Sequence, residues 1–413
     1  EGIPDTGQVT SWALQFATLA HVVFVLRVFG LLITWTFIAP TFGETITRDG
    51  RSSVLHASAM SALWSLAAVV AALTTMANVL GVPFKSVFSQ GFIGTYLMAL
   101  PPSRSYMITA SIALGISISG IFLANLNSLA VLAALAGAGI AAPLLNSHAA
   151  SLGDHSLALT SSVAHGLSMS AWVGCLWAVS SFVRNRDLKV VARFSALAGI
   201  SVAVLAISGI AATYARVDSI SDLWLSRYGQ LVIVKVLAFA VLMSLAVKIR
   251  THLTTKANLA GFLVTEVSIM AIAIGVGVAL HSTPMSRAVA PLNSAAEEIL
   301  GFAFPPPPSL QTVILGWHPE WFMLSLSLVA ASMYTIGVLR LRRNNVTWSV
   351  LRTISFMVGV GLVIWTTSAG ISAYSQVSFE YHMIQHMVLS MIAPIFIVLS
   401  TPITLALRAL PAQ

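Results

Sequence analysis

The sequence predicts an all-α fold, a polytopic transmembrane helical bundle of about eleven spans with the N-terminus outside. Three observations predict it. Hydrophobic residues make up 57% of the 413 positions and charged residues only 8%, against about 25% charged in a soluble domain. Apolar stretches of about 20 residues recur along the whole chain, which fits helices and not the weak alternation of a barrel. Lysine and arginine are also unevenly shared between alternate loops, which sets orientation.

The spans are expected at 11–39, 54–80, 105–124, 128–145, 158–181, 194–214, 229–247, 258–281, 319–338, 349–371 and 378–400. Residues 86–100 are too short and polar to cross, and read as a re-entrant or interfacial piece on the outer side. With the N-terminus outside, the inner loops hold Arg48, Arg51, Arg184, Arg186, Lys189, Arg193, Lys248, Arg250, Lys256, Arg340, Arg342, Arg343, Arg352 and Arg408. The outer side holds only Lys85, Arg104, Arg216, Arg227 and Arg287. The pI near 10 therefore reflects inner loops. No basic face interleaved with aromatics suggests nucleic acid. Four consecutive prolines, Pro305–Pro308, forbid a span and favour an extended spacer. The expected division is thus an eight-span domain at 1–281, a Pro-rich outer loop at 282–316 and a second membrane domain at 317–413.

This topology sorts the histidines. His56 and His252 fall on the inner side, whereas His21, His148, His155, His165, His281, His318, His382 and His386 fall at the outer surface or in the outer half of the membrane. Such one-sidedness suggests an imidazole-rich outer vestibule. Its densest part is YHMIQHM, residues 381–387. His382 and His386 are four apart and share a helix face, and Met383 and Met387 repeat that spacing about 100° further round. Imidazole nitrogen beside thioether sulfur suits Cu(I). The alternative is that the histidines bond neighbouring helices while the methionines fill gaps.

His165 and Met169 have the same spacing on the fifth span. SHAASLGDH, residues 147–155, places His148 and His155 in the loop before them, where an ion entering from outside would arrive first. AHVVFVLRVFGLLITWTF from Ala20 resembles AHGLSMSAWVGCLWAVSSF from Ala164, which makes His21 and His165 equivalent in a faint internal repeat, 11–145 and 158–281. Sites in such folds lie between the halves. Three charges lie within spans. Arg27 and Glu266 are expected to pair, and Lys235 to snorkel outward toward Asp218 or Asp222. GWHPEW, residues 316–321, puts His318 and Glu320 at the outer mouth, level with His382 and His386. No triad, P-loop, Rossmann turn or CxxC pair is present, and HMIQH lacks the glutamate of HExxH. Cys175 is alone, so neither a disulfide nor a thiolate cage is expected. The chain does not read as an enzyme.

Residues 160–250 resemble the copper resistance protein D (CopD) family in AHGLSMSAWVGCLWAV, SALAGISVAVLAISGIAATY and RYGQLVIVKVLAF. Residues 317–411 resemble CtaG, a membrane family linked to assembly of caa-type cytochrome c oxidase, in WHPEW, YTIGVLRLRR, YHMIQHMVLSMIAP and TPITLALRALP. Together they resemble the fused CopD–CtaG proteins of actinobacteria. That family carries further helices after LRALP, so the CtaG-like unit is expected to be incomplete here. The resemblance implies copper handling at the bacterial cytoplasmic membrane, the partners being the lipid bilayer, copper ions and oxidase subunits or a copper chaperone.

The expected function is therefore copper binding and transport. One site would use His148, His155 and the His165/Met169 pair with His21 facing them. The other would use His382, His386 and Met383 or Met387, closed by His318. Two alternatives stay open: a b-type haem held by His21 and His165, and a scaffold subunit of the respiratory chain that binds no metal.

Overall fold

The computed structural model describes residues 6–40, 46–89, 91–123, 125–146, 155–184, 187–252, 259–281, 283, 294, 297 and 303–409. Ten helical stretches among them are long and apolar enough to cross a membrane. The chain is an all-helical polytopic membrane protein. The remaining expected span forms a helix, Leu259–His281, of which Ser268–Leu280 is an apolar stretch. The chain divides into two compact units, residues 1–150 with 161–288 and residues 151–160 with 289–413.

The first unit is built on α1 (Gln8–Ile33, continued by a π-helical turn Thr34–Ile38), α2 (Arg48–Leu80), α3 (Ser86–Ser89), α4 (Phe92–Tyr96), α5 (Pro101–Phe122) and α6 (Leu126–Leu145). It continues through α7 (His155–Arg184), α8 (Leu188–Tyr214), α9 (Asp222–Leu225), α10 (Arg227–His252) and α11 (Leu259–His281). Helix boundaries follow local chemistry. The Thr47 hydroxyl accepts from Gly50 N at the start of α2, and Gly81 ends that helix at φ 66°. Pro101 and Pro102 open α5, where a missing N–H costs nothing. Arg51 donates to the carbonyls of Gly120, Ile121 and Leu123 at the far end of α5, so a cation closes the negative end of that helix.

Small residues let these helices approach closely, the usual packing device where lipid leaves no hydrophobic drive between helices. Ala57, Ser61, Ala68, Ala71 and Ala72 of α2 are buried, as are Ala110 and Ala113 of α5. Thr109 of α5 donates to Gly139 O of α6 at 2.9 Å. Val28, Leu32, Trp64, Ile116, Leu129 and Ala136 complete this core, and Trp172, Cys175, Val179, Phe194, Leu242 and Met270 form another from α7, α8, α10 and α11. Two glycines let α1 and α7 come into backbone contact. A Cβ on Gly30 would overlap the backbone of Gly174, and one on Gly174 would lie 3.0 Å from Gly30 Cα. Around this crossing α6 meets α7, with Leu144 within 2.7 Å of a Cβ built on Gly166, and α11 meets α1.

Residues 86–89 and 91–100 form the short α3 and α4 and turns, with Val87 fully buried against Met76 and Ala77. Phe84 N donates to Thr10 Oγ1 at 3.1 Å, which fastens this piece to α1. Arg27 of α1 faces an aromatic ring. Its guanidinium lies 4.8 Å from the centre of the Trp177 ring, a cation–π contact that requires no carboxylate. The Glu266 side chain lies outside the described residues.

The second unit contains α12 (Leu310–Leu315), α13 (Trp321–Arg343), α14 (Val350–Ser368), α15 (Gly370–Tyr374), α16 (Phe379–Met387), a π-helical turn Val388–Ile392, α17 (Ala393–Leu399) and α18 (Pro402–Ala409). Tyr334 stacks on Phe356 with ring centres 4.0 Å apart, receives Trp348 Nε1–H at 3.2 Å and donates to Ser400 O at 3.1 Å. The expected span at 378–400 is therefore one helix interrupted by a wider turn. Pro394 gives it a cause, since its ring has no N–H and crowds the carbonyl four residues earlier. Thr401, at φ 50°, then turns the chain into α18, whose Leu405 is buried beside Gly337 of α13.

Candidate functional site

The histidine–methionine face of the second unit begins α16. His382, Met383, His386 and Met387 are all exposed, and the two imidazole rings stand 6.5 Å apart centre to centre. An ion with metal–nitrogen bonds of about 2 Å fits between such rings after small rotations. Ser390 fixes one of them. Its hydroxyl donates to His386 O, so its oxygen accepts from His386 Nδ1–H at 3.3 Å. That leaves the Nε2 lone pair of His386 open, the tautomer a metal-ligating imidazole needs.

This face is anchored to the end of α14. Gln385 Nε2 donates to Thr366 O at 2.7 Å, and His318 N donates to Ser368 O at 2.8 Å. Trp317 and Ala369 form an isolated antiparallel bridge. GWHPEW and YHMIQHM are thereby fastened two residues apart on one helix end, with the His318 side chain exposed. Glu320 serves the helix that follows it. Its carboxylate caps α13 by accepting from Met323 N at 2.7 Å. Among the described residues, no group of three or more His, Cys, Asp and Glu side chains stands ready to hold a metal ion. Any site here is a histidine pair extended by thioethers.

In the first unit His21 and His165 are held differently. His21 is buried, and Trp64 Nε1–H donates to its Nδ1 at 3.2 Å. Tyr106 packs edge-on, 5.4 Å between ring centres. Since indole only donates, the His21 proton must sit on Nε2, so ligation of copper or haem iron by either nitrogen requires that arrangement to break. Trp64→Phe should therefore destabilise the purified protein by about 1–3 kcal/mol, the cost of a buried polar group left unmade. Thermal unfolding in detergent measures this, with Trp64→Phe/His21→Leu expected to recover part of the loss.

His165 is held the other way. Ser208 donates to Leu205 O at 3.1 Å, so its oxygen accepts from His165 Nδ1–H at 3.2 Å, leaving Nε2 unprotonated. Met169 is half-buried one turn along. Yet Lys235 and Arg216 lie close enough for their charges to act on this ring. His148 lies outside the described residues. His155 begins α7, but its side chain is not among those described. Sequence reasoning missed both serines. Ser390 was legible, being four residues from His386, whereas Ser208 is 43 residues from its partner.

Comparison with known proteins agrees with the two halves of the sequence. The family copper resistance protein D matches residues 188–280, and the family cytochrome c oxidase caa3 assembly factor (Caa3_CtaG) matches residues 332–413. Similar proteins include uncharacterized protein Mb0105 of Mycobacterium bovis, 36% identical over 118 residues. Another is uncharacterized protein ML1998 of Mycobacterium leprae, 34% identical over 119 residues. Each match takes in 29% of this chain and 18% of the relative's length. No solved structure matches. One polypeptide thus carries a CopD segment followed by a CtaG assembly-factor segment, which is the arrangement of the fused CopD/CtaG family.

Proposed function

We propose that this protein is a copper carrier of the bacterial cytoplasmic membrane, supplying copper for cytochrome c oxidase assembly, and that His382 and His386 with Met383 or Met387 form its exchange site. The observation that carries this reading is the exposed His/Met face on α16, with Nε2 of His386 freed by Ser390. Imidazole and thioether suit Cu(I). A thiolate would hold the ion more firmly, and Cys175 is buried. Exposure suits hand-off to an oxidase subunit or copper chaperone, with His318 the nearest candidate for a further ligand. The first unit contributes less to this reading, because the cations beside His165 oppose another cation there and His21 is committed to Trp64.

Anaerobic titration of the purified chain with Cu(I) against a competing chelator tests the site. Wild type should bind stoichiometrically. His382→Ala/His386→Ala should weaken binding at least about 100-fold, and Ser390→Ala about 10-fold, as removal of an orienting partner does. Equal affinity in the double variant, or a Soret band in the purified protein, would overturn the assignment. Unchanged oxidase copper content in cells lacking the protein would favour a metal-free scaffold.

A further inference from the structure

The proline run of the second unit walls a cavity that copper exchange does not use. Consecutive prolines have no N–H to place in a helix, so the chain stands extended with its rings and carbonyls turned outward. Three hydrogen bonds fix where this wall stands. The buried Glu297 carboxylate accepts from Phe304 N at 3.1 Å, just before the run. Tyr374, the last residue of α15, donates through its hydroxyl to Pro306 O at 2.8 Å. Beyond the run, Ser309 Oγ caps α12 by accepting from Thr312 N at 3.1 Å.

Facing the prolines are Tyr374 and Tyr381, with ring centres 5.4 Å apart and planes tilted by 41°. The cavity has a volume of about 400 Å³, and Phe304, Pro305–Pro308, Tyr374, Tyr381 and Glu380 line it. Small-molecule sites typically measure about 300–1,000 Å³. It shares no lining residue with the cavity beside His382 and His386. Glu380 lies two residues from His382, about 200° round the helix, so the two cavities open on different faces of α16.

The wall selects its ligand by charge and by surface. Aromatic faces carry negative potential and attract cations. Glu380 is the only acidic residue between Trp321 and Gln413 in the sequence, and it stands in this wall. A hard inorganic cation takes six or more oxygen ligands, which one carboxylate among tyrosine and proline rings does not supply. An organic cation uses both surfaces, because its carbon atoms pack on the rings while its charge stays near the carboxylate.

We infer that this cavity binds an alkylammonium group, with its carbon atoms against Tyr374, Tyr381 and the prolines and its charge beside Glu380. Isothermal titration of the full chain, in a maltoside detergent that carries no ammonium headgroup, tests this with choline. The control ligand is 3,3-dimethylbutan-1-ol, the isostere in which carbon replaces nitrogen. Choline should bind about 10-fold more tightly, the margin of a cation over aromatic faces. A second pair, N-acetyl-lysine methylamide against N-acetyl-norleucine methylamide, locates the source. Preference for choline makes the ligand a free or lipid-borne quaternary ammonium, and preference for the lysine compound makes it a side chain of a partner protein; either supports the site.

Glu380→Gln should weaken binding of the preferred cation roughly 5-fold, the upper end for an exposed ion pair. Asp218→Asn, at an exposed carboxylate of the first unit, should not. Tyr381 separates recognition from packing. Tyr381→Phe keeps the aromatic face and should keep the affinity, whereas Tyr381→Leu should lose about 10-fold. Equal affinity for the charged and neutral members of both pairs would make the cavity merely apolar, and overturns the proposal. Unchanged affinity in Glu380→Gln, or Tyr381→Phe binding as weakly as Tyr381→Leu, overturns it as well.

Discussion

Gly30→Val should leave little folded protein. A Cβ at Gly30 would occupy the space of the Gly174 carbonyl group, and one at Gly174 would reach the Gly30 backbone. Backbone cannot give way as the tip of a side chain does, so α1 and α7 must separate along their contact. Overpacking ordinarily costs about 1–3 kcal/mol, and at a backbone crossing the upper end of that range or beyond is expected. Size-exclusion profiles and thermal unfolding in detergent measure it. Gly115→Ala and Gly199→Ala serve as controls, since neither has an atom within 4 Å of its built Cβ; both should be neutral or mildly stabilising by removing glycine from a helix. Comparable loss in all three would mean that the crossing is not special.

The second large effect is expected at Gly370. A Cβ there would overlap Thr312 O and lie 3.0 Å from Val313 O. Gly370→Val should therefore push α12 off the start of α15 and loosen the bridge between Trp317 and Ala369. The Tyr374 hydroxyl, which contacts Pro306 O at 2.8 Å and Thr312 Oγ1 at 2.9 Å, would lose both partners. Faster proteolysis near Pro305–Pro308 should follow, with Cu(I) affinity falling as well if His318 contributes to the exchange site. Limited proteolysis alongside chelator competition separates these effects. Fast cleavage with unchanged affinity would restrict the site to α16.

The helical, polytopic fold was legible because hydropathy is a local property. Ten of the eleven expected spans have helices that meet the length and apolarity needed to cross a bilayer, and the other is the helix Leu259–His281. Pairing the histidines at 21 and 165 also pairs Gly30 with Gly174, the two residues that touch. What remained hidden depends on distant neighbours. Only the fold brings the Trp177 ring to Arg27. That the Glu320 carboxylate caps a helix likewise shows only in the fold. The contrast between His21 and His165 was invisible because their partners, Trp64 and Ser208, are each 43 residues away.

The meeting of Gly30 and Gly174 also acts as a calliper. His21 and His165 each lie nine residues N-terminal to the joint, about 13.5 Å along the helix. Two helices in backbone contact can pivot, but they cannot slide past one another without a clash. Opening or closing the angle at this joint therefore changes the gap between the two imidazoles.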